Sequence, residues 1–245
     1  MSEITAGGQA LLSLFDMIYV LNLPERRDRR MQMAQQLARV GLSLEHPKIT
    51  LFPACKPREA GEFPTIGTRG CFESYLAILT DALAAGHDRF LVIEDDADFA
   101  RGFEAQMPEA AAFLSGKNWG LVYGYSTELE PVDAPGPLRF VDPEVGVRCT
   151  HFVAFSGDAA RQALPYLQGI YGRPMNDPNG GAMHLDGALT WFRAAHPDVV
   201  TYAAKDSLAI QRPSLSDIHP PRWYERTPPF STLYRLALRA KAALR

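Results

Sequence analysis

Cysteine is nearly absent from this chain. Only Cys55, Cys71 and Cys149 occur in 245 residues. An odd, sparse set excludes a disulfide framework, and the spacings fit no zinc-site pattern. Cys71 falls in an apolar helical pattern, which reads as a buried free thiol and fits a reducing compartment. Long apolar runs are missing too: none approaches the ~20 residues that span a bilayer. The N-terminus carries no basic leader, and Asp16 breaks its apolar stretch, so no secretory signal is expected and a cytoplasmic location is. Net charge is only −3, which gives no reason to expect a nucleic-acid partner. No internal repeat occurs.

What is present is ordinary globular composition, with 47% hydrophobic and 22% charged residues. The length allows one sizeable α/β domain or two small ones. Met17 to Leu21 is a continuous apolar run of the kind that forms buried parallel strands. After the charged stretch Pro24 to Arg30, Met31, Ala34, Leu37 and Ala38 fall at helical spacing, and Gly41 supplies a stop. Lys48 to Phe52 reads as a second strand, followed by a Pro/Gly-rich loop to Gly67. Cys71, Phe72, Tyr75, Leu76, Leu79 and Leu83 form the clearest helical stripe, ending at Gly86. Phe90 to Ile93 is another buried strand, with a helix near Glu104 to Leu114, a strand at Gly120 to Tyr123, a strand at Phe152 to Phe155 and a helix from Asp158 to Leu167. The alternation predicts an α/β fold with a mostly parallel sheet flanked by helices. Gly169 to Gly181, rich in Gly, Pro and Asn, reads as a long loop of the kind that is often functional.

The strand Phe90 to Ile93 runs directly into Glu94, Asp95, Asp96 and Asp98. Ligand sites in open α/β sheets lie at the carboxyl ends of strands. Carboxylates grouped there repel one another unless a cation or hydrogen bonds neutralise them. Mg²⁺ and Mn²⁺ take oxygen ligands, often a few carboxylates together with a substrate diphosphate. A nucleotide-sugar transferase uses such a metal to stabilise the leaving diphosphate. A solvated acidic loop is the plain alternative.

Several segments, in order, resemble glycosyltransferase family 25, which contains bacterial lipooligosaccharide galactosyltransferases and procollagen galactosyltransferases. Phe90 to Phe99 (FLVIEDDADF) looks like the family's strand and acidic motif, and Ile18 to Met31 (IYVLNLPERRDRRM) its opening, with Asn22, Leu23, Arg26 and Arg29 in place. Gly70, Cys71 and Ser74 match the helix before the acidic motif; Ser156 and Ala159 match a Ser-x-x-Ala core. Asp186 matches a late aspartate, and Gln211 with Ser216-Asp217-Ile218 the closing pattern. The resemblance covers most of residues 17 to 218. It implies a GT-A-like fold with a Rossmann-like nucleotide-binding half, a UDP-sugar donor, UDP-galactose by family habit, an inverting transfer, and a lipopolysaccharide or related glycan or glycolipid acceptor. The family has Ser-His where this chain has Ser74-Tyr75, so any contact made by that His is changed here.

The expected roles follow. Asp96 is the first metal ligand, with Glu94 in a Glu-x-Asp frame that the resemblance suggests; Asp96-x-Asp98 is a competing frame. Asp95 joins the nucleotide contacts. His184 and His219 are candidate further ligands. Arg26 and Arg29 sit just after the first strand, where guanidinium groups can pair with a diphosphate; cations near a helix N-terminus are otherwise unfavourable. Asn22, Ser74 and Gln211 are donor contacts or packing groups. Asp186 is a general base or an acceptor-orienting group, as an inverting transfer needs, or else a helix N-cap before Ala188, Leu189 and Trp191. Residues 1–16 read as an N-terminal extension, 17–220 as the catalytic domain, and 221–245 as a basic tail. From Arg222 onward six basic residues face Glu225, a net +5 that leaves −8 on the rest. Phe230, Leu233, Tyr234, Ala237 and Leu238 recur at helical spacing there, so the tail is expected to dock on the anionic inner face of the plasma membrane, with a helix packed on the protein's own core as the alternative. Two rival readings stand. A metal-dependent nucleotidyltransferase would ordinarily carry a Gly-rich phosphate loop, and Pro24 to Arg30 has no Gly. A non-catalytic glycan-binding module of the same fold would have no use for the acidic cluster and Asp186.

Overall fold

A computed structural model describes residues 3–125, 129–130 and 135–212. Its centre is a seven-stranded sheet. The strands are β1 (Met17–Asn22), β2 (Ile49–Pro53), β3 (Arg89–Glu94), β5 (Leu121–Tyr123), β6 (Leu138–Phe140), β7 (Phe152–Ser156) and β8 (Thr201–Ala204), in the order β2-β1-β3-β7-β5-β8-β6. Five run one way; β7 and β6 run against them. Short β4 (Ala97–Phe99) pairs antiparallel with β9 (Ala209–Gln211) in a separate ribbon.

The side-chain alternation of the strands divides the core into two layers. Tyr19, Leu21, Phe90, Val92, Leu121, Tyr123, Val153 and Phe155 face α3 (Ile66–Ala84), α5 (Gly157–Tyr171) and α6 (Leu185–Ala195). Ile18, Val20, Leu91, Ile93, Val122, Phe152 and Ala154 face α1 (Ala6–Leu14), α2 (Arg27–Arg39) and α4 (Phe103–Leu114). The architecture is therefore helix, sheet, helix, and the α/β class read from the alternation holds. Side-chain oxygens of Thr5, Thr65 and Ser156 accept from the amides of Gly8, Thr68 and Ala159 and start α1, α3 and α5. Gly41 and Gly86, at φ of 73° and 74°, stop α2 and α3 where a side chain would be strained.

Residues 1–16, expected as an extension, contain α1, which closes one core layer with Leu11 and Leu14. Gly7 and Gly8 look like helix breakers, yet they are packing contacts. A Cβ on Gly8 would stand 2.2 Å from the Val40 carbonyl oxygen, so only glycine lets α1 lie on the end of α2. α5 runs on through Tyr171, which shortens the loop expected from Gly169. Among the described residues no helix is long and apolar enough to cross a membrane. His219, Ser216 to Ile218 and the basic tail lie outside the described residues.

Candidate functional site

The site is assembled at one edge of the sheet. β1, β2 and β3 are parallel, so their carboxyl ends at Asn22, Pro53 and Glu94 emerge together. β7 is antiparallel to β3, so its entrance arrives at the same edge: Ile93 pairs with Phe152, and the Glu94 amide donates to the His151 carbonyl. That brings Cys149, Thr150 and His151 beside the acidic cluster. The β4–β9 ribbon carries Gln211 in from the other side, opposite Ala97.

The acidic residues differ sharply in their surroundings. Asp95 accepts from Asn22 Nδ2 at 2.6 Å and pairs with Arg29 Nη1 at 2.9 Å. Asp96 is 3.3 Å from the same guanidinium nitrogen. Burial nonetheless holds both carboxyls above their ordinary range, with Arg29 pulling the other way. Asp96 Oδ1 is buried and has no hydrogen-bond partner among the described residues. Asp98 is turned away to Arg212, whose guanidinium also donates to Gln32. Glu94 accepts from Thr150 Oγ1 at 2.8 Å and from the Tyr75 hydroxyl at 3.3 Å. Its carboxyl is pushed up to about 7, first by burial and then by the Asp96 charge. Tyr75, the departure from the family pattern, is thus a buried prop for Glu94, with its hydroxyl also donating to the Thr150 carbonyl.

Three neighbouring hollows share lining residues here. The first, about 400 Å³, is lined by Leu23, Arg26, Arg29, Lys56, Ile66 and Ser74, and reaches Glu94, Asp95, Asp96 and Gln211. A Lys56–Glu25 ion pair stands on its rim. The second, about 140 Å³, shares Cys71, Glu94 and Gln211 with the first, and adds Cys149, Thr150, His184 and Asp186. The third, about 620 Å³, shares His184 and Asp186 and opens past Arg148, Met183 and Trp191. Glu94 therefore stands at one junction and Asp186 at the other.

The expected site residues fall into groups. Arg26, Arg29, Ser74, Glu94, Asp95, Asp96 and Gln211 line the first hollow. Asn22 stands behind it: its amide is spent on Asp95 and the Arg26 carbonyl, so it positions the cluster. The Ser74 hydroxyl donates to the Gly70 carbonyl and accepts from the Cys55 amide, fixing α3 to the loop after β2. Arg26 clasps Asp28. Asp186 is not the N-cap of α6; His184 holds that position, and Asp186 Oδ1 accepts from the Gly187 amide at 2.8 Å. Among the described residues no three His, Cys, Asp or Glu side chains converge into a metal-binding group. Cys71, half-buried between two hollows, has its thiol held well above the usual range by its low-dielectric surroundings and by Glu94. Sequence reasoning missed Cys149, Thr150, His151 and Arg212, and marked Tyr75 only as a departure from the family pattern, not as a support for Glu94. Cys149 has a left-handed φ of 75°, a strained conformation for a residue with a Cβ and common at functional sites.

His151, 1% exposed, gives the site a pH-dependent cost. Burial depresses its pKa from 6.5 to about 4. The folded protein keeps it neutral while the unfolded chain protonates it, so the unfolded chain holds more protons between those values. The His151 contribution to stability should fall as pH drops through that window, by about 2–3 kcal/mol at pH 4.5 relative to pH 7. The raised carboxyls of Glu94, Asp95 and Asp96 act in the opposite sense, so the readout is a difference: from pH 7 to pH 4.5, urea denaturation should show the native protein losing about 2–3 kcal/mol relative to His151→Leu. Equal losses in both would reject it.

No family model matches the chain. The chain is similar to curated proteins described as inactive glycosyltransferase 25 family member 3. It is 26% identical to the mouse and human proteins over 135 residues, 48% of this chain and 23% of each relative. The rat protein is 27% identical over the same length. The resemblance to glycosyltransferase family 25 is supported. The match spans about a quarter of the length of these relatives. Among solved structures, the chain is similar to a glycosyltransferase involved in the glycosylation of the major capsid of PBCV-1, with a TM-score of 0.45 and 12% identity, over 82% of this chain and 94% of that one. A197 from STIV follows at a TM-score of 0.38 and 11% identity, over 84% and 97%.

Proposed function

We propose that this chain is a glycosyltransferase that takes a sugar from a nucleoside-diphosphate donor held in the first hollow and passes it to a glycan seated in the third. The observation that carries the reading is the adjacency of the three hollows, with Glu94 in the lining shared by the first two and Asp186 in the lining shared by the second and third. The family likeness adds the donor class: a UDP-sugar, UDP-galactose first, with inversion, and a lipopolysaccharide-type acceptor. On this reading Asp186 takes the proton from the acceptor hydroxyl as it attacks the anomeric carbon. Arg26 and Arg29 face the diphosphate, and Gln211 steadies Asp96.

A Mn²⁺ or Mg²⁺ ion fits Asp96 and Glu94. The unpartnered Asp96 Oδ1 and the part-exposed Glu94 carboxylate are oxygen donors of the right kind, and such ions are commonly held by one or two carboxylates plus substrate phosphates. When bound, the ion supplies positive charge against the leaving diphosphate. Asp98 is engaged by Arg212 and His184 stands on the acceptor side, so neither is needed for this pair.

The relatives described as inactive favour a second reading, a saccharide-binding module without turnover. One experiment separates them. With a panel of UDP-sugars and Mn²⁺, the protein should release UDP slowly, and EDTA should stop it. Asp186→Asn should retain UDP affinity within about threefold yet lose transfer by about 10²-fold or more. No release from any donor, with glycan binding intact, would establish the module instead.

A further inference from the structure

The third hollow ends at a flat aromatic surface. Trp191, on α6, is 43% exposed and lines this hollow together with Met183, Thr190 and Asp186. Its indole is held from behind. Gly180 has a φ of 83°, and a Cβ there would come within 3.2 Å of the indole Cε3, so bare backbone lies against the ring. The loop that presents Gly180 is fixed in turn: Arg173 Nη1 donates to the Asn179 and Gly180 carbonyls at 2.8 and 3.2 Å, and the Gly180 amide donates to Asp177 at 3.0 Å. The Tyr166 hydroxyl donates to the Trp191 carbonyl at 3.2 Å. The ring is thus supported on one side and open on the hollow, five residues along α6 from Asp186.

A tryptophan backed by bare backbone and set in the lining of a hollow beside Asp186 offers a rigid, flat, amphipathic face to a ligand. We propose that Trp191 is the stacking platform for an acceptor saccharide, setting the pyranose ring that precedes the attacking hydroxyl against the indole and so aiming that hydroxyl at Asp186. The class of ligand is a neutral oligosaccharide of at least two rings, with one apolar pyranose face for the indole and its hydroxyl edge towards Thr190 and His184. Gly180 is a positioning residue: its missing side chain is what allows the ring to lie flat. This inference rests on the transferase reading for the direction of the hydroxyl, but not for the stacking itself.

The test uses the full chain and four probes: lactose, cellobiose, N,N′-diacetylchitobiose and UDP, each titrated by NMR. At least one disaccharide should bind at about 20 mM or below, a range ordinary for single-platform sugar sites. Trp191→Ala should weaken it at least tenfold, a typical loss for one stacked ring, while Trp191→Phe stays within about threefold of the native protein. UDP affinity should be the same in all three. If no disaccharide binds the native protein, or Trp191→Ala binds as well as the native protein, the platform is overturned. UDP separates the two ideas. Disaccharide binding without UDP binding leaves the platform standing and rejects the donor cleft. UDP binding without disaccharide binding does the reverse.

Discussion

Asp96→Asn is expected to reduce donor turnover about 10²-fold or more while leaving the fold intact. Asp96 is 7% exposed at the wall of the first hollow, and its Oδ1 has no hydrogen-bond partner among the described residues. Burial raises the pKa of Asp96, so the folded state bears a cost for keeping it charged. Asn keeps the volume and removes that cost, and Asp95 still pairs with Arg29. Thermal stability should therefore be unchanged or slightly higher. Chemistry should suffer, because the carboxylate would hold the divalent cation whose positive charge offsets the leaving diphosphate, and loss of such electrostatic stabilisation costs about 10²–10³ in rate. Circular dichroism melts beside the UDP-release assay make the comparison. Native turnover in this variant would remove Asp96 from the site altogether.

Arg29→Met should cost the protein about 3–5 kcal/mol of stability, the usual result of removing one partner from a buried ion pair. Here one cation serves two anions: Asp95 at 2.9 Å and Asp96 at 3.3 Å, all three side chains largely buried. Met retains an unbranched apolar stem and lacks the guanidinium, so most of the loss reports the missing cation. Adding Asp95→Asn to Arg29→Met should restore much of it, because the amide needs no counter-ion and can still bond to Asn22. Urea denaturation of the two single variants and the double variant gives the coupling directly. A loss under about 1 kcal/mol, or no recovery in the double variant, would contradict a structural role for this pair.

The pieces legible in the sequence were those with a strong period. β1 and β3 are unbroken apolar runs, and α3 carries a long stripe, so each was located to within a few residues. β4, β6, β8 and β9 span only three or four residues each, too short for any alternation to stand out. α1 was hidden by Gly7 and Gly8, whose value lies in a neighbour 32 residues from Gly8 along the chain. The antiparallel direction of β7 could not be read, since an apolar strand looks the same from either end. The same fact hid Thr150 and His151 from the site. Tyr75 read as one more apolar residue of a helix, although its hydroxyl supports Glu94. Arg212 left a faint signal: a cation beside Gln211 in a stretch otherwise matched only by the closing pattern.

The reversal of β7 also bears on how such a protein can change what it acts on. Gly146, Val147 and Arg148 line the third hollow, and the segment 142–149 that holds them passes through Thr150 and His151 straight into the strand that abuts Glu94. Its exposed positions, such as Glu144 and Arg148, can change without moving a strand that carries the acidic cluster, because β1, β2 and β3 reach the same edge from the opposite direction. Val147 is held by the core, and the Asp142 and Val145 carbonyls accept from buried Arg193. Thr150 marks a boundary: substitution upstream of it would reshape the third hollow, whereas substitution at it would remove a hydrogen bond to Glu94. Diversification among chains built this way is therefore expected at the exposed positions of 142–148 and not at 150.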